Sequence, residues 1–182
     1  TGLINLDPSN EYIWIVDPLD GTYNYVNNLG PSTISIALYK GTRPVFGVIG
    51  IFPEMKIVYG GKTIGSFQDH YKLKTSTKSN YNYSTLFTGF PSRFSFKKNE
   101  INSLNKICSK FAKVRMIGCA SYSLFNVASG KGEYYYEDKI MLWDVAAGLA
   151  IIEGSGGKYR IKKLKNKYTL KVHATNNKLS IL

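Results

Sequence analysis

The chain has 182 residues, 43% hydrophobic and 14% aromatic, with a formal net charge of +12. This composition is typical of a globular domain and excludes a disordered or fibrous chain. The two cysteines, Cys108 and Cys119, form no C-x-x-C pair and predict neither a disulfide framework nor a zinc site. No apolar run reaches the roughly 18 residues of a membrane span. We interpret the protein as soluble and cytoplasmic.

The positive charge favours a general attraction for anions over a nucleic-acid site. Lysines and arginines are scattered from Lys40 to Lys178, and the densest cluster, residues 158–165, alternates with apolar residues. That alternation predicts a strand with one solvated face. No DNA- or RNA-recognition motif accompanies it, so we expect neither nucleic acid nor membrane as a partner.

The first informative stretch places two carboxylates directly behind a β-type run. Residues 12–16 are aromatic or β-branched and predict a buried strand that stops at Pro18, which cannot donate to a ladder. Asp17 and Asp20 follow at the strand end, where layered α/β proteins bind ligands, and both can reach one hard cation. A plain surface turn is the alternative, because Asp, Pro and Gly are common turn residues.

The middle of the chain predicts an antiparallel meander. Residues 23–28 are predicted to form a short helix, and its free N–H groups are expected to face the same edge as the carboxylates. Short connections join the next strands, which are predicted at residues 32–39, 45–52 and 56–59. An edge strand is expected near residues 71–74.

A βα layer is predicted after the meander. Strands and helices alternate as in parallel crossovers. The strands are residues 84–88, 113–117 and 133–137, and the helices are residues 99–112 and 121–129. We divide the chain into two subdomains. Residues 1–82 are interpreted as the C-terminal part of a metal- and phosphate-binding subdomain, and residues 83–182 as a βα subdomain that carries a second metal motif and the substrate pocket.

The second informative stretch, residues 142–157, predicts a helix of small residues that closes on glycines. Its small face allows another element to approach closely, and this would bring Asp144 beside Asp17 and Asp20. The members of this face are Ala146, Ala147, Gly148 and Ala150. Together the three carboxylates predict an oxygen cage for divalent ions. A simple helix cap is the alternative interpretation of Asp144.

Several other residues carry structural expectations only. Trp14 and Trp143 are expected to anchor the core beside the site, and residues 134–136 to form a half-buried strand. His70 and His173 are expected at the surface or in loops.

Both informative stretches resemble the signature motifs of the inositol monophosphatase family. Residues 17–25, DPLDGTYNY, match the first motif, and WDVAAG at residues 143–148, followed by Gly156-Gly157, matches the second. Shorter matches at residues 118–121, 128–130 and 135–137 extend the likeness over nearly the whole chain. The resemblance implies a layered αβαβα sandwich, of α+β or α/β class, with the meander preceding a mixed βα layer. It also implies a homodimer.

The resemblance implies a magnesium-dependent, lithium-sensitive phosphomonoesterase with two or three Mg²⁺ ions. The implied metal ligands are the carboxylates of Asp17, Asp20 and Asp144 and the main-chain carbonyl of Leu19. Two cations about 4 Å apart can activate a water, neutralise phosphate and stabilise the departing alkoxide.

The remaining site residues are also assigned by resemblance. Gly21 and Thr22 are implied to bind phosphate through backbone N–H groups. Thr22 and Asp20 are the implied catalytic residues, and the Thr22 hydroxyl helps to position and deprotonate the attacking water. The implied substrate-pocket residues are Ala120, Ser121 and Glu137, of which Glu137 hydrogen-bonds substrate hydroxyls.

Family members carry a further metal-binding glutamate and N-terminal helices upstream of the first strand. Glu11 lies too close to that strand to substitute for this glutamate. We therefore expect the 182 residues alone, as a truncated form, to bind Mg²⁺ weakly and turn over poorly.

The expected substrate is an inositol monophosphate or a related sugar or polyol phosphate. Glu137 favours a polyol, because a carboxylate accepts hydrogen bonds from vicinal hydroxyls and would repel a second phosphate. The alternatives are the same chemistry on histidinol phosphate, a fructose bisphosphate or a 3′-phosphorylated nucleotide, and a truncated, non-catalytic fragment or anion-binding module.

Overall fold

The first half of the chain forms a six-stranded antiparallel sheet. The computed structural model describes residues 11–91, 94, 96–166 and 168–182. The strands of this first sheet, in spatial order, are β1 (Tyr12–Asp20), β2 (Ser32–Lys40), β3 (Arg43–Phe52), β4 (Lys56–Gly61), β5 (Gly65–Gln68) and β6 (Tyr71–Lys72). Each strand pairs with the next along the chain, and this confirms the predicted meander.

The second half of the chain forms a mixed sheet of five strands. Its strands in chain order are β7 (Thr85–Thr88), β8 (Lys113–Met116), β9 (Tyr134–Met141), β10 (Lys158–Lys163) and β11 (Thr169–Thr175). Strand β7 runs parallel to β8 and β9, whereas β11 is antiparallel to both β9 and β10. The parallel pairs confirm the predicted crossovers. Strand β11 was not predicted from the sequence.

Four α-helices and one short 3-10 helix, Tyr81–Tyr83, complete the described part of the chain. The α-helices are α1 (Thr22–Asn27), α2 (Lys98–Cys108), α3 (Ala120–Ala128) and α4 (Leu142–Gly154). Helices α3 and α4 lie between the two sheets and contact both. Helix α2 packs with Ile107 on the outer face of the second sheet, against Leu86 and Tyr134. The described layers are therefore sheet, helices, sheet and helix, which confirms the layered sandwich.

The proposed division after residue 82 remains a prediction. The strands of the two sheets fall on either side of it. One continuous core nevertheless includes residues of both sheets and of α3 and α4. No helix in the described ranges is long and apolar enough to cross a membrane.

Strand β1 differs from its prediction in length and in burial. It continues through Pro18 to Asp20, with an irregular register between Asp17 and Asp20. Proline is tolerated there because β1 is an edge strand. The strand also alternates, with Ile15 buried while Trp14 is 59% exposed, so the expectation that Trp14 anchors the core was wrong.

The face of the first sheet opposite α4 is apolar and open in the part of the chain that the structure describes. Large hydrophobic side chains on alternating positions of three strands are exposed there: Tyr12, Trp14, Val16, Ile34 and Ile57. Their partners in register, such as Leu38 opposite Trp14, continue the same face. The periodicity of β1 is thus that of a half-buried strand, although its composition is that of a buried one.

The small face of α4 packs directly against neighbouring backbone, as predicted. A Cβ atom placed on Gly47 in β3 would lie 2.4 Å from the carbonyl oxygen of Ala147. A Cβ atom on Gly148 would lie 2.5 Å from Leu124 Cδ1 in α3. Because glycine occupies both contacts, α4 sits closely between the first sheet and α3, and its first turn is carried to the edge of the sheets.

Strand β9 and its neighbour β11 are more deeply buried than expected. Tyr134, Tyr135 and Tyr136 are all buried rather than half-buried, and His173 lies within β11 rather than in a loop. The amide of Leu182 donates to the Tyr134 hydroxyl oxygen at 2.9 Å, which leaves the hydroxyl proton for His173 Nδ1 at 2.8 Å. Burial, together with the positive charges of Lys171 and Arg160, lowers the pKa of His173 to about 4.

We expect Gly47→Ala to destabilise the protein by about 1–3 kcal/mol, because the added Cβ meets backbone that cannot move aside. Urea denaturation measures the loss. Gly50→Ala is the matched control in the same strand, since nothing lies within 4 Å of a Cβ there. Equal losses in the two variants would contradict the close packing of α4.

We expect His173 to make the folded protein sensitive to acid. Between about pH 6.5 and about pH 4 the unfolded chain binds a proton on His173 that the folded protein excludes, so the free energy of unfolding falls as the pH falls. Denaturation at several pH values should therefore show a shallower pH slope in His173→Asn than in the wild type. His70→Asn, at an exposed position, should keep the wild-type slope; an unchanged slope in His173→Asn would refute the assignment.

Candidate metal and phosphate site

The predicted site residues converge on one cleft of about 1080 Å³. It lies where the end of β1 meets the first turns of α1, α3 and α4, with β9 forming another wall. Eight of the nine predicted residues line it: Asp17, Leu19, Asp20, Gly21, Thr22, Ala120, Glu137 and Asp144. Ser121 does not. The partly buried Trp143 also faces this cleft.

Asp17 and Asp144 interact directly across the cleft. The carboxyl groups of Asp17 and Asp144 lie close enough for each to affect the pKa of the other, and the backbone N–H of Met141 donates to Asp144 Oδ2 at 3.3 Å. Asp144 therefore also accepts a hydrogen bond at the start of α4, so the two interpretations of this residue are compatible. Burial, together with the negative charges of Asp20 and Asp17, raises the pKa of Asp144 to about 8. Burial likewise raises the pKa of Asp17.

The chemistry of these residues fits a hard cation. Among the residues that the structure describes, no group of three or more His, Cys, Asp or Glu side chains is arranged so that it could hold a metal ion. The carboxylates of Asp17, Asp20 and Asp144 nevertheless share one cleft, and their mutual repulsion raises the pKa of Asp144. A divalent cation would supply the opposing charge, and carboxylate oxygens are its preferred ligands.

Ser121 lies behind the cleft wall and contacts Asp20. It is fully buried, and its hydroxyl and its backbone N–H both donate to Asp20 Oδ2, at 2.6 Å and 2.7 Å. The thiol of Cys119 donates to the same oxygen at 3.3 Å. Burial raises the pKa of Cys119 to about 12, so the thiol keeps its proton. The position of Ser121 therefore does not support the predicted contact with substrate.

Gly21 and Thr22 begin helix α1 at the cleft. Gly21 caps the helix with φ of +77°, and a Cβ there would lie 3.1 Å from both Cys119 Cβ and the Pro31 carbonyl oxygen. Glycine is therefore required by conformation and by space. The N–H groups in the first turn of α1, beginning with that of Thr22, have no carbonyl acceptor within the helix. They are therefore suited to donate hydrogen bonds to an anion.

The hydroxyl of Thr22 is bound to the carbonyl that was predicted as a metal ligand. Thr22 Oγ1 donates to the Leu19 oxygen at 2.7 Å, and the Leu19 N–H donates to Asp17 Oδ1 at 3.0 Å. These bonds fix the turn between the two aspartates. The Leu19 oxygen keeps one lone pair for a further partner.

Glu137 lies on β9 at the wall of the cleft. It is buried, and Tyr135 donates its hydroxyl proton to Glu137 Oε2 at 2.9 Å. Burial raises the pKa of Glu137 to about 7. A Cβ at Gly89 would lie 3.0 Å from both carboxylate oxygens of Glu137, so the glycine makes room for them. The carboxylate can accept a hydrogen bond from a ligand hydroxyl when ionised.

Asn24 is a structural residue of the site that sequence reasoning missed. Its side-chain amide donates to the carbonyl oxygens of Pro31 at 3.0 Å and Ile117 at 2.8 Å. It therefore joins α1 to the turn before α3. Nothing local distinguishes Asn24 from Asn27 and Asn28, because its second partner lies 93 residues away. The contact of Cys119 with Asp20 was missed in the same way, because the two residues lie 99 positions apart.

The fold and the cleft together define a layered α/β protein with carboxylates and a helix N-terminus at one shared edge. Residues 3–178 match the model of the inositol monophosphatase family. The chain belongs to that family, and the resemblance of its two motifs is confirmed.

Individual relatives support the same assignment. The chain is 30% identical to "Fructose-1,6-bisphosphatase/inositol-1-monophosphatase" of Aquifex aeolicus over 84% of its own length and 58% of the relative's. It is 33% identical to inositol monophosphatase 1 of Rattus norvegicus, over 79% of the chain and 53% of the relative. The solved inositol monophosphatase of Anabaena (Nostoc) sp. PCC 7120 superposes with a TM-score of 0.83 at 31% identity, covering 95% of this chain and 72% of that one. The chain thus spans somewhat more than half the length of these curated relatives.

We expect Asn24→Ala to destabilise the protein by about 1–3 kcal/mol, because it leaves two backbone carbonyls without their donor. Thermal or urea denaturation measures the change. Asn27→Ala on the same helix is the control: that side chain is exposed and donates only to the Tyr23 carbonyl, so its loss should cost much less. Comparable losses in both variants would show that Asn24 does not join α1 to α3.

Proposed function

We propose that the protein containing this chain is a Mg²⁺-dependent phosphomonoesterase acting on an inositol monophosphate or a related sugar or polyol phosphate. One observation carries the proposal: Asp17, Asp20 and Asp144 share a cleft with the free N–H groups of α1. A cation site and an anion site side by side are what a phosphate ester with its metal ions requires. Membership of the inositol monophosphatase family supports the same chemistry.

The residues that would hold the metal are those predicted from the sequence. Asp17, Asp20 and Asp144 would bind it through carboxylate oxygens, and Leu19 through its main-chain oxygen. When bound, Mg²⁺ supplies charge neutralisation for the phosphate and activation of a water. The high pKa of Asp144 has a direct consequence here, because this carboxyl must release its proton to act as a ligand.

The start of α1 would bind the phosphate and orient the attacking water. The N–H groups of Gly21 and Thr22 sit where the helix begins, so they can donate to phosphate oxygens while the helix dipole favours the negative charge. The exposed hydroxyl of Thr22 lies at the same point, bound to the Leu19 oxygen. We propose that this hydroxyl, which gives its own proton to the Leu19 oxygen, accepts a hydrogen bond from the attacking water, and that the Asp20 carboxylate accepts the water's proton through Oδ1.

Glu137 and Ala120 would contact the alcohol part of the substrate. Both line the cleft, and a buried carboxylate held by Tyr135 can accept hydrogen bonds from vicinal hydroxyls. A second phosphate beside Glu137 would be repelled. The alternative is the same chemistry on a bisphosphate. The Aquifex relative favours this alternative, because its name includes fructose-1,6-bisphosphatase as well as inositol-1-monophosphatase.

Other consequences of the family assignment stay predictions for this protein. They are sensitivity to lithium, a homodimer and a cytoplasmic location. Whether the 182 residues act alone is likewise open to test, because the relatives are considerably longer.

We expect Asp20→Asn and Asp144→Asn each to lower Mg²⁺-dependent phosphate release by about 100-fold or more, because each removes a carboxylate that compensates the metal charge. Phosphate release from inositol 1-phosphate, with and without Mg²⁺, measures the effect on the longest natural form of the protein. Asp69→Asn is the control, because this half-buried turn residue accepts from the Ile57 N–H and lies outside the cleft.

Two results would overturn the proposal. Wild-type protein that binds phosphate but releases none from any polyol, sugar, nucleotide or amino-alcohol phosphate would support a non-catalytic anion-binding module. A preference for fructose bisphosphate over every monoester would leave the metal chemistry intact and refute the substrate assignment based on Glu137.

A further inference from the structure

One oxygen of Asp20 carries a set of donors that the other two aspartates lack. Asp20 Oδ2 accepts from the Ser121 hydroxyl at 2.6 Å, the Ser121 backbone N–H at 2.7 Å and the Cys119 thiol at 3.3 Å. All three donors come from the beginning of α3. A carboxylate oxygen has about two lone-pair sites, so this oxygen is saturated by the protein itself.

The donors are themselves held by a buried threonine of the first sheet. Thr33, on β2, hydrogen-bonds the Ser121 hydroxyl and lies 3.5 Å from the Cys119 sulfur. Thr33 and Ser121 are both fully buried. Because the Ser121 hydroxyl gives its proton to Asp20, it can only accept from Thr33, and the hydrogens therefore run in order from Thr33 through Ser121 to Asp20.

The strand register of the first sheet places this series of hydrogen bonds next to Asp20 rather than next to Asp17. Asp20 pairs with Thr33 across β1 and β2, after the irregularity that follows Asp17. Ser121 of α3 thus holds the side chain of Asp20 directly, and Thr33 of the neighbouring strand β2 holds Ser121. By contrast, the one protein donor to the carboxylate of Asp17 among the described hydrogen bonds is the Leu19 N–H.

We propose that Ser121, oriented by Thr33, is a positioning residue that locks the Asp20 carboxylate so that Oδ2 faces the protein and Oδ1 alone is presented to the cleft. This inference rests on the proposed function, because it assigns Asp20 to a cation. It gives Ser121 a role in place of the substrate contact predicted from sequence. Ser121 touches neither metal nor substrate in this account and acts only through Asp20.

The consequence is a difference in how the three carboxylates can respond to a cation. Asp17 and Asp144 each accept one backbone N–H, from Leu19 and Met141, whereas Asp20 is already oriented by three neutral donors at a single oxygen. Removing such outer partners of a metal ligand typically costs about 10- to 100-fold in metal affinity or activity. Ser121 and Thr33 should therefore influence metal binding although neither is a ligand.

The test measures Mn²⁺ binding by electron paramagnetic resonance, together with kcat and KM for substrate and the Mg²⁺ dependence of activity, on the longest natural form of the protein. We expect Ser121→Ala to weaken Mn²⁺ binding by about 10- to 100-fold. Thr33→Val, which keeps the shape of the side chain, should weaken it in the same direction by less, and Thr33→Ser should restore most of that loss. The Mg²⁺ concentration for half-maximal activity should rise more than the KM for substrate.

Ser66→Ala is the matched control. Ser66 is also a fully buried serine of the first sheet, but its hydroxyl donates to the Ile151 carbonyl at 2.8 Å, away from the cleft. It should lose comparable thermal stability and keep wild-type Mn²⁺ affinity. The inference is refuted if Ser121→Ala and Thr33→Val bind Mn²⁺ like the wild type, or if Ser66→Ala weakens binding equally. Mn²⁺ binding by a wild type that releases no phosphate would refute the proposed function and leave this inference standing.

Discussion

The concentration of negative charge in one cleft is the constraint on which the rest of the structure depends. Four carboxylates, those of Asp17, Asp20, Asp144 and Glu137, line this cleft on a chain that is otherwise strongly basic. Two of them sit at helix beginnings: Asp144 is in the first turn of α4, and Asp20 accepts the Ser121 backbone N–H in the first turn of α3. Helix N-termini favour negative charge and offset part of the repulsion. The pKa of Asp144 shows that the offset is incomplete, and a cation is the natural complement.

Close packing is what brings these charges together. The helix that carries Asp144 must pass between the first sheet and α3. Gly47 allows β3 to lie against the Ala147 backbone, and Gly148 makes room for the Leu124 side chain of α3. Gly21 has the same function at the start of α1, where it packs against Cys119. Core packing and site geometry are therefore not separate features of this molecule, since a methyl group in any of these places would displace an element of the cleft.

The sequence predicted what is local and missed what depends on distant partners. Asp17, Asp20 and Asp144 could be found because turn residues behind a strand and an acidic residue opening a small-faced helix are readable within ten residues. The orientation of Ser121 could not, because its partner Asp20 lies 101 residues away. For the same reason the bond between His173 and Tyr134 was not foreseen. Burial of β1 was misjudged because aromatic composition outweighed its alternating pattern.

The central claim is that Asp17, Asp20 and Asp144 bind a divalent cation. Anomalous diffraction from crystals of the protein grown with Mn²⁺ tests this most directly. The account predicts an anomalous peak in the cleft within coordination distance of Asp20 Oδ1 and of Asp144, with Asp20 Oδ2 still bound to Ser121. A cleft without such a peak at saturating Mn²⁺ would contradict it.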